Sequence, residues 1–156
     1  MQDPTELHEA ASLGNKKLLD KLLADGQYDV DSEDWTYERR TPLHVAIESG
    51  KLNCVRTLLV SGADAGAKTK SGMTPVHMAA EQDNIKILQI LLEYDAPIDQ
   101  EDESGATPLD IAKTYGNKKC EQFLAEALRA LREKRNSEQP LNDPSNENNN
   151  SLNKKM

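Results

Sequence analysis

Thr41-Pro42-Leu43-His44 returns as Thr74-Pro75-Val76-His77 and again as Thr107-Pro108-Leu109-Asp110, each copy 33 residues after the last. A fixed period of this length marks a stack of similar units rather than one enclosed core, because a single unit cannot bury its own apolar face. The rest of the chain keeps the register. Alanine follows each threonine by five residues, at Ala46, Ala79 and Ala112. Leu58-Leu59 and Leu91-Leu92 follow by 17 and 18 residues. Gly50 and Gly116 follow by nine, with Asp83 in the corresponding place between them. Counting backward, Thr5-Glu6-Leu7-His8-Glu9-Ala10-Ala11 is a degenerate first copy, with Gly14 and Leu22-Leu23 where the register puts them. Four units therefore cover residues 5–131.

Each unit predicts a pair of helices. The Thr41 hydroxyl is placed to cap a helix, and Pro42 suits the first helical position, where its missing N–H is not needed. Gly50 and Gly62 are natural stops, since glycine takes the left-handed backbone at a helix end without penalty. Between them Leu52, Val55, Leu58 and Leu59 have helical spacing. Gly62-Ala63-Asp64 then starts an outward loop.

The pattern resembles the ankyrin repeat, whose signature is Thr-Pro-Leu-His-x-Ala at this period. The resemblance covers about four fifths of the chain. It implies an all-α ankyrin-repeat solenoid of four helix-turn-helix repeats with protruding hairpin loops. The repeats span about 5–40, 41–73, 74–106 and 107–135, with an extended C-terminal capping helix, and an Asn-rich tail follows at 136–156. It also implies that the histidine of the signature is structural, its ring joining a hydrogen-bond network around the threonine that opens the helix.

Composition agrees with a solenoid. One Phe, one Trp and four Tyr in 156 residues are too few for a large central core, and a stack does not need one. The net charge is −8; residues 132–156 hold five basic and four acidic side chains, leaving 14 basic against 23 acidic in the repeats. This balance argues against nucleic acid, whose phosphates need a basic patch, and is compatible with a basic protein partner. No apolar run approaches the ~18 residues of a membrane helix. Met1-Gln2-Asp3-Pro4 shows no basic region followed by an apolar stretch, so no secretory signal is expected. Cys54 and Cys120 lie 66 residues apart, two whole repeats. Packed helices sit about 8–10 Å apart, which puts the thiols too far apart for a disulfide. They read as small buried apolar residues in a reducing, intracellular compartment, cytoplasmic or nuclear.

No catalytic set, cofactor loop or metal site is expected. His8, His44 and His77 occupy equivalent repeat positions, one or more repeats apart, too far to share an ion at ligand distances near 2 Å. Ser61-Gly62 and Ser71-Gly72 are turn residues with no preceding strand, so neither is a nucleophile elbow.

The departures from the register carry the remaining information. From His8 to His44 is 36 residues instead of 33, with one extra residue near Tyr28 and two in Asp34-Trp35-Thr36-Tyr37-Glu38-Arg39-Arg40. The later loop tips carry Gly72 and Gly105 where this one has Arg39. Trp35 and Tyr37 beside arginines have the composition of an interface hot spot. The alternative is that Trp35 folds down over the gap made by the insertion. The first repeat, with Glu6 in place of Pro and Glu9, Lys16 and Lys17 around its helices, fits a solvated N-terminal cap. In the last repeat Asp110 stands in place of His. There Cys120, Phe123, Leu124, Ala127, Leu128 and Leu131 predict one long helix over 117–134. It reads as a C-terminal cap or as an amphipathic helix that docks a partner.

By the resemblance, a partner lies against the loop tips and first helices, on the concave side. The matching positions are Leu13, Trp35, Tyr37, Arg39, Arg40, Glu48, Lys68, Lys70, Met73, Glu81, Gln82, Glu101, Glu103 and Tyr115. The aromatic and large apolar members form the expected energetic centre. The basic third tip and acidic fourth tip would orient an extended partner. The leading expectation is a monomeric, non-catalytic binding module of adaptor or inhibitor type. Its rivals are an acidic escort for a basic protein and a structural protein that self-associates through its long last helix.

Overall fold

The computed structural model describes residues 5–35 and 38–138, so Tyr37 and the tail beyond Glu138 lie outside the described residues. Among the described residues eight helices follow in pairs: α1 (Thr5–Leu13), α2 (Lys16–Ala24), α3 (Pro42–Glu48), α4 (Leu52–Val60), α5 (Pro75–Glu81), α6 (Ile85–Glu93), α7 (Pro108–Thr114) and α8 (Lys118–Glu138). The first helices stack as α1 on α3, α3 on α5 and α5 on α7, and the second helices stack as α2, α4, α6 and α8. The described residues contain no strand.

The core lies between the two layers. Leu7, Leu43, Val76, Leu58, Leu88, Leu91 and Leu124 are fully buried, as are the register alanines Ala46, Ala79 and Ala112. Cys54 and Cys120 are buried free thiols in this core. Burial, then the neighbouring Asp83 carboxylate, pushes the Cys120 thiol up to about 12.

Each signature helix opens with a two-way cap. The Thr41 hydroxyl accepts from the His44 N–H, and the Thr41 N–H donates to His44 Nδ1 at 3.1 Å. Thr74 and His77 repeat this geometry. Because Nδ1 accepts, the proton sits on Nε2, which donates onward to the Met73 carbonyl at 3.2 Å for His44 and to the Ala106 carbonyl at 2.9 Å for His77. The histidine thus ties its own helix start to the loop that leads into the next repeat. His8 reaches the Arg40 carbonyl at 2.7 Å in the same way. Asp110 keeps the cap, accepting from Thr107 N–H at 3.0 Å.

The left-handed positions also follow the register. Gly14, Gly50 and Gly116 have φ of +69°, +66° and +69°, and Asp83 takes their place with φ +52°. Its carboxylate compensates by accepting from the Cys120 N–H at 3.1 Å. Asp95, at φ +56°, stands where Gly62 stands one repeat earlier and makes no such side-chain bond. Asp95→Gly is therefore expected to stabilise the fold by about 0.5 kcal/mol, net of glycine's own entropy cost. Asp83→Gly is expected to destabilise it, because a helix-start N–H loses its acceptor. Urea midpoints of both variants check the pair.

The loops close as hairpins and stack on one another. Thr69 N–H bonds the Met73 carbonyl and Asp102 N–H the Ala106 carbonyl, spanning four residues each; Asp34 N–H bonds the Arg40 carbonyl across six. The two extra residues of the second-repeat tip, residues 34–40, therefore sit inside its closure. Successive tips join through Lys70 N–H to the Glu38 carbonyl and Glu103 N–H to the Ser71 carbonyl. Gly72 is required at this junction: its φ is +78°, and a Cβ there would stand 2.9 Å from Glu103 N.

α8 begins at Lys118 and runs to Glu138, beyond the predicted end at 134. Arg135 pairs with Asp99 at 3.1 Å, which anchors its last turns to the preceding loop. Asn117, instead of capping α8, donates to the Ala80 and Glu81 carbonyls at 2.7 and 2.8 Å.

Candidate protein-binding surface

Three of the six exposed large hydrophobic side chains among the described residues belong to the loop tips and the ends of the first helices; the other three, Leu18, Val60 and Tyr94, belong to the second helices. Trp35 is 86% exposed, Leu13 67% and Tyr115 57%. Trp35 does not fold down over the insertion. The lengthened loop is packed by a polar clamp instead. Asp34, buried to 5% exposure, accepts from the Arg40 N–H at 3.3 Å and from Arg40 Nε at 3.1 Å. The same guanidinium also donates to the Glu48 carboxylate on α3. The insertion closes through this clamp, so its indole is left in solvent.

Arg40 and Glu48, both expected to meet a partner, also pair with each other, and Arg40 is engaged on two sides within the chain. Arg39 is exposed in the left-handed conformation, φ +58°, and pairs with Glu33 at 2.9 Å. Lys68, Lys70, Glu101 and Glu103 are exposed on the third and fourth tips. Gln82 donates to the Glu48 carbonyl at 2.9 Å, and the Tyr115 hydroxyl to Glu81 at 3.2 Å. The adjacent Glu81 charge raises the Tyr115 hydroxyl above its usual range. These contacts lace neighbouring repeats together along the concave side.

Among the expected residues, Arg40, Glu48, Met73 and Glu81 converge on one groove of ≈ 520 Å³ between the second and third repeats. Glu38, Thr69, Ser71 and Met78 complete its lining, and none of these four was expected as a site residue. Met78 was legible in principle. It occupies the position after the signature histidine, as Val45 does one repeat earlier, and so faces inward from α5. A second depression of ≈ 360 Å³, lined by His8, Glu9, Ser12, Asp34, Val45 and Ser49, shares Arg40 and Glu48 with the first. The concave face is therefore continuous from the first repeat to the third. Leu13, Trp35, Tyr115 and the fourth-tip glutamates do not line the larger groove.

All three histidine rings are spent on backbone contacts, so none presents a free pair of nitrogens to chemistry. No helix among the described residues is long and apolar enough to cross a membrane.

A family model described as ankyrin repeats (3 copies) matches residues 2–69 and 49–135. Mouse ankyrin repeat domain-containing protein 13B is 39% identical over 66 residues, 42% of this chain and 10% of that protein. Human ankyrin repeat domain-containing protein 7 is 41% identical over 58 residues, covering 37% of this chain and 22% of that one. Mouse ankyrin repeat and SOCS box protein 5 is 44% identical over 61 residues, 39% of this chain and 18% of the relative. The matched stretches thus span between 10% and 22% of the lengths of these relatives.

Proposed function

Because the chain belongs to the ankyrin-repeat family, whose repeats generally serve as protein-interaction modules, we propose that it is a non-catalytic binding module of adaptor or inhibitor type, receiving a protein partner on its concave face. The observation that carries this reading is Trp35: the only tryptophan of the chain stands 86% exposed on a tip fixed from behind by Asp34 and Arg40. A large aromatic held out on a braced loop has surface to bury and loses little entropy in burying it. Leu13 and Tyr115 extend the same surface toward the first and last repeats. The buried, unpaired Cys54 and Cys120 support a reducing compartment, the cytoplasm or nucleus.

Affinity capture from native lysate, read by mass spectrometry, tests the reading with the intact chain beside a Trp35→Ala/Tyr115→Ala variant. Truncating a hot-spot aromatic costs on the order of 2–4 kcal/mol of binding. The variant is expected to lose a partner that the intact chain retains. Equal capture by both would move the site off the concave face.

A further inference from the structure

We propose that the groove between the second and third repeats receives a lysine side chain from an extended segment of the protein partner. This rests on the concave-face reading above and adds the chemistry of the occupant. The floor is apolar and deformable, formed by Met73 and Met78, which suits a four-carbon stem. The rim carries three carboxylates, Glu38, Glu48 and Glu81, against the single guanidinium of Arg40. Arg40 also serves Asp34, so its charge is shared before any partner arrives. Lys70, on the same tip as Ser71, makes no ion pair with these carboxylates.

Each rim carboxylate is held by one oxygen and open at the other. Glu38 Oε2 accepts from the Ser71 hydroxyl, Glu48 Oε2 from Arg40, and Glu81 Oε1 from the Tyr115 hydroxyl. The remaining oxygens, Glu38 Oε1, Glu48 Oε1 and Glu81 Oε2, accept no hydrogen bond from the described residues. They come from three separate elements: a loop tip, α3 and α5. Three acceptors from different elements match the three rotatable donors of an ammonium better than the planar fork of a guanidinium, which wants two oxygens of one carboxylate. The pre-held carboxylates lose little freedom on binding.

The four methionines of the chain give a direct readout, since Met73 and Met78 line the groove while Met1 and Met156 are the terminal residues. The intact chain, labelled with 13C at the methionine methyls, is titrated with acetyl-Gly-Ala-Lys-Ala-Gly-amide and with the same peptide carrying norleucine or glutamate. The Met73 and Met78 signals are expected to shift with the lysine peptide, with a Kd on the order of 1 mM, while the terminal signals stay in place. The norleucine peptide should bind about tenfold more weakly and the glutamate peptide not measurably. Glu38→Gln/Glu81→Gln should weaken the lysine peptide at least about fivefold, with the starting methyl spectrum showing that the variant is folded. No shift at the groove methionines, or equal shifts with lysine and norleucine, overturns the proposal. If the lysine peptide fails while capture still depends on Trp35, the groove assignment falls and the concave-face reading stands. If capture does not depend on Trp35, the concave-face reading falls whatever the methyl spectra show.

Discussion

Lowering the pH from 7 to 4 is expected to remove about 3 kcal/mol of folding stability through His44 alone. Burial pushes the His44 imidazole from 6.5 down to about 4, and its geometry requires the neutral ring. Nδ1 accepts from the Thr41 N–H while Nε2 donates to the Met73 carbonyl, so a proton on Nδ1 breaks the cap. Between pH 6.5 and about 4 the unfolded chain therefore binds a proton that the folded chain refuses. Stability is complete above 6.5 and drains as the pH falls through that window, by up to about 1.4 kcal/mol per unit. His77, lowered by burial in the same geometry, adds to the loss. The Asp102 and Asp110 carboxyls are held below their usual 3.8 by hydrogen bonds, from Ser104 and Thr107 respectively, so they contribute only beneath that value. Asp31, raised by burial, acts in the opposite sense near the bottom of the window. Urea unfolding at pH 7, 6, 5 and 4 reads the slope, and a His44→Gln/His77→Gln variant is expected to flatten it. A stability that stays level from pH 7 to 4.5 would show that the rings do not need to be neutral.

Leu88→Ala is expected to cost about 3 kcal/mol, within the range for a fully buried leucine whose surroundings cannot collapse. Leu88 is 0% exposed on α6, which packs between α4 and α8. In a stack each unit touches only its neighbours, so a cavity in the third repeat weakens the interfaces on both sides. Leu128, half-buried midway along α8, lies in a helix that packs mainly on α6 and α7 among the described residues, and Leu128→Ala should cost about 1 kcal/mol. Chemical unfolding of the two variants gives the comparison. A Leu88→Ala cost no greater than that of Leu128→Ala would mean that the ends, not the middle, carry the stability.

The fold was legible because one register fixes four kinds of position at once: the Thr-Pro caps, the alanines between layers, the paired leucines and the left-handed turns. Asp83 shows how strictly it holds, taking φ +52° where its equivalents are glycine. The site was less legible, because its key contacts join residues whose relation the register does not set. Nothing in the spacing of residues 34–40 says whether Trp35 or Asp34 fills the lengthened loop; that depends on Arg40 reaching Glu48, eight residues on and in a different element. The same clamp makes Arg40 a brace within the chain. Glu38 joined the groove only because the second and third tips hydrogen-bond to one another. Tyr37 lies outside the described residues.

The most direct test is hydrogen–deuterium exchange on the intact chain, free and bound to the partner recovered by capture. Added protection is expected at the loop tips around residues 33–40 and 68–73 and at the N-terminal turns of α3 and α5. The outward faces of α2, α4 and α6 should exchange as in the free chain. Protection confined to those outer helices or to α8, with the tips unchanged, would contradict binding at the concave face.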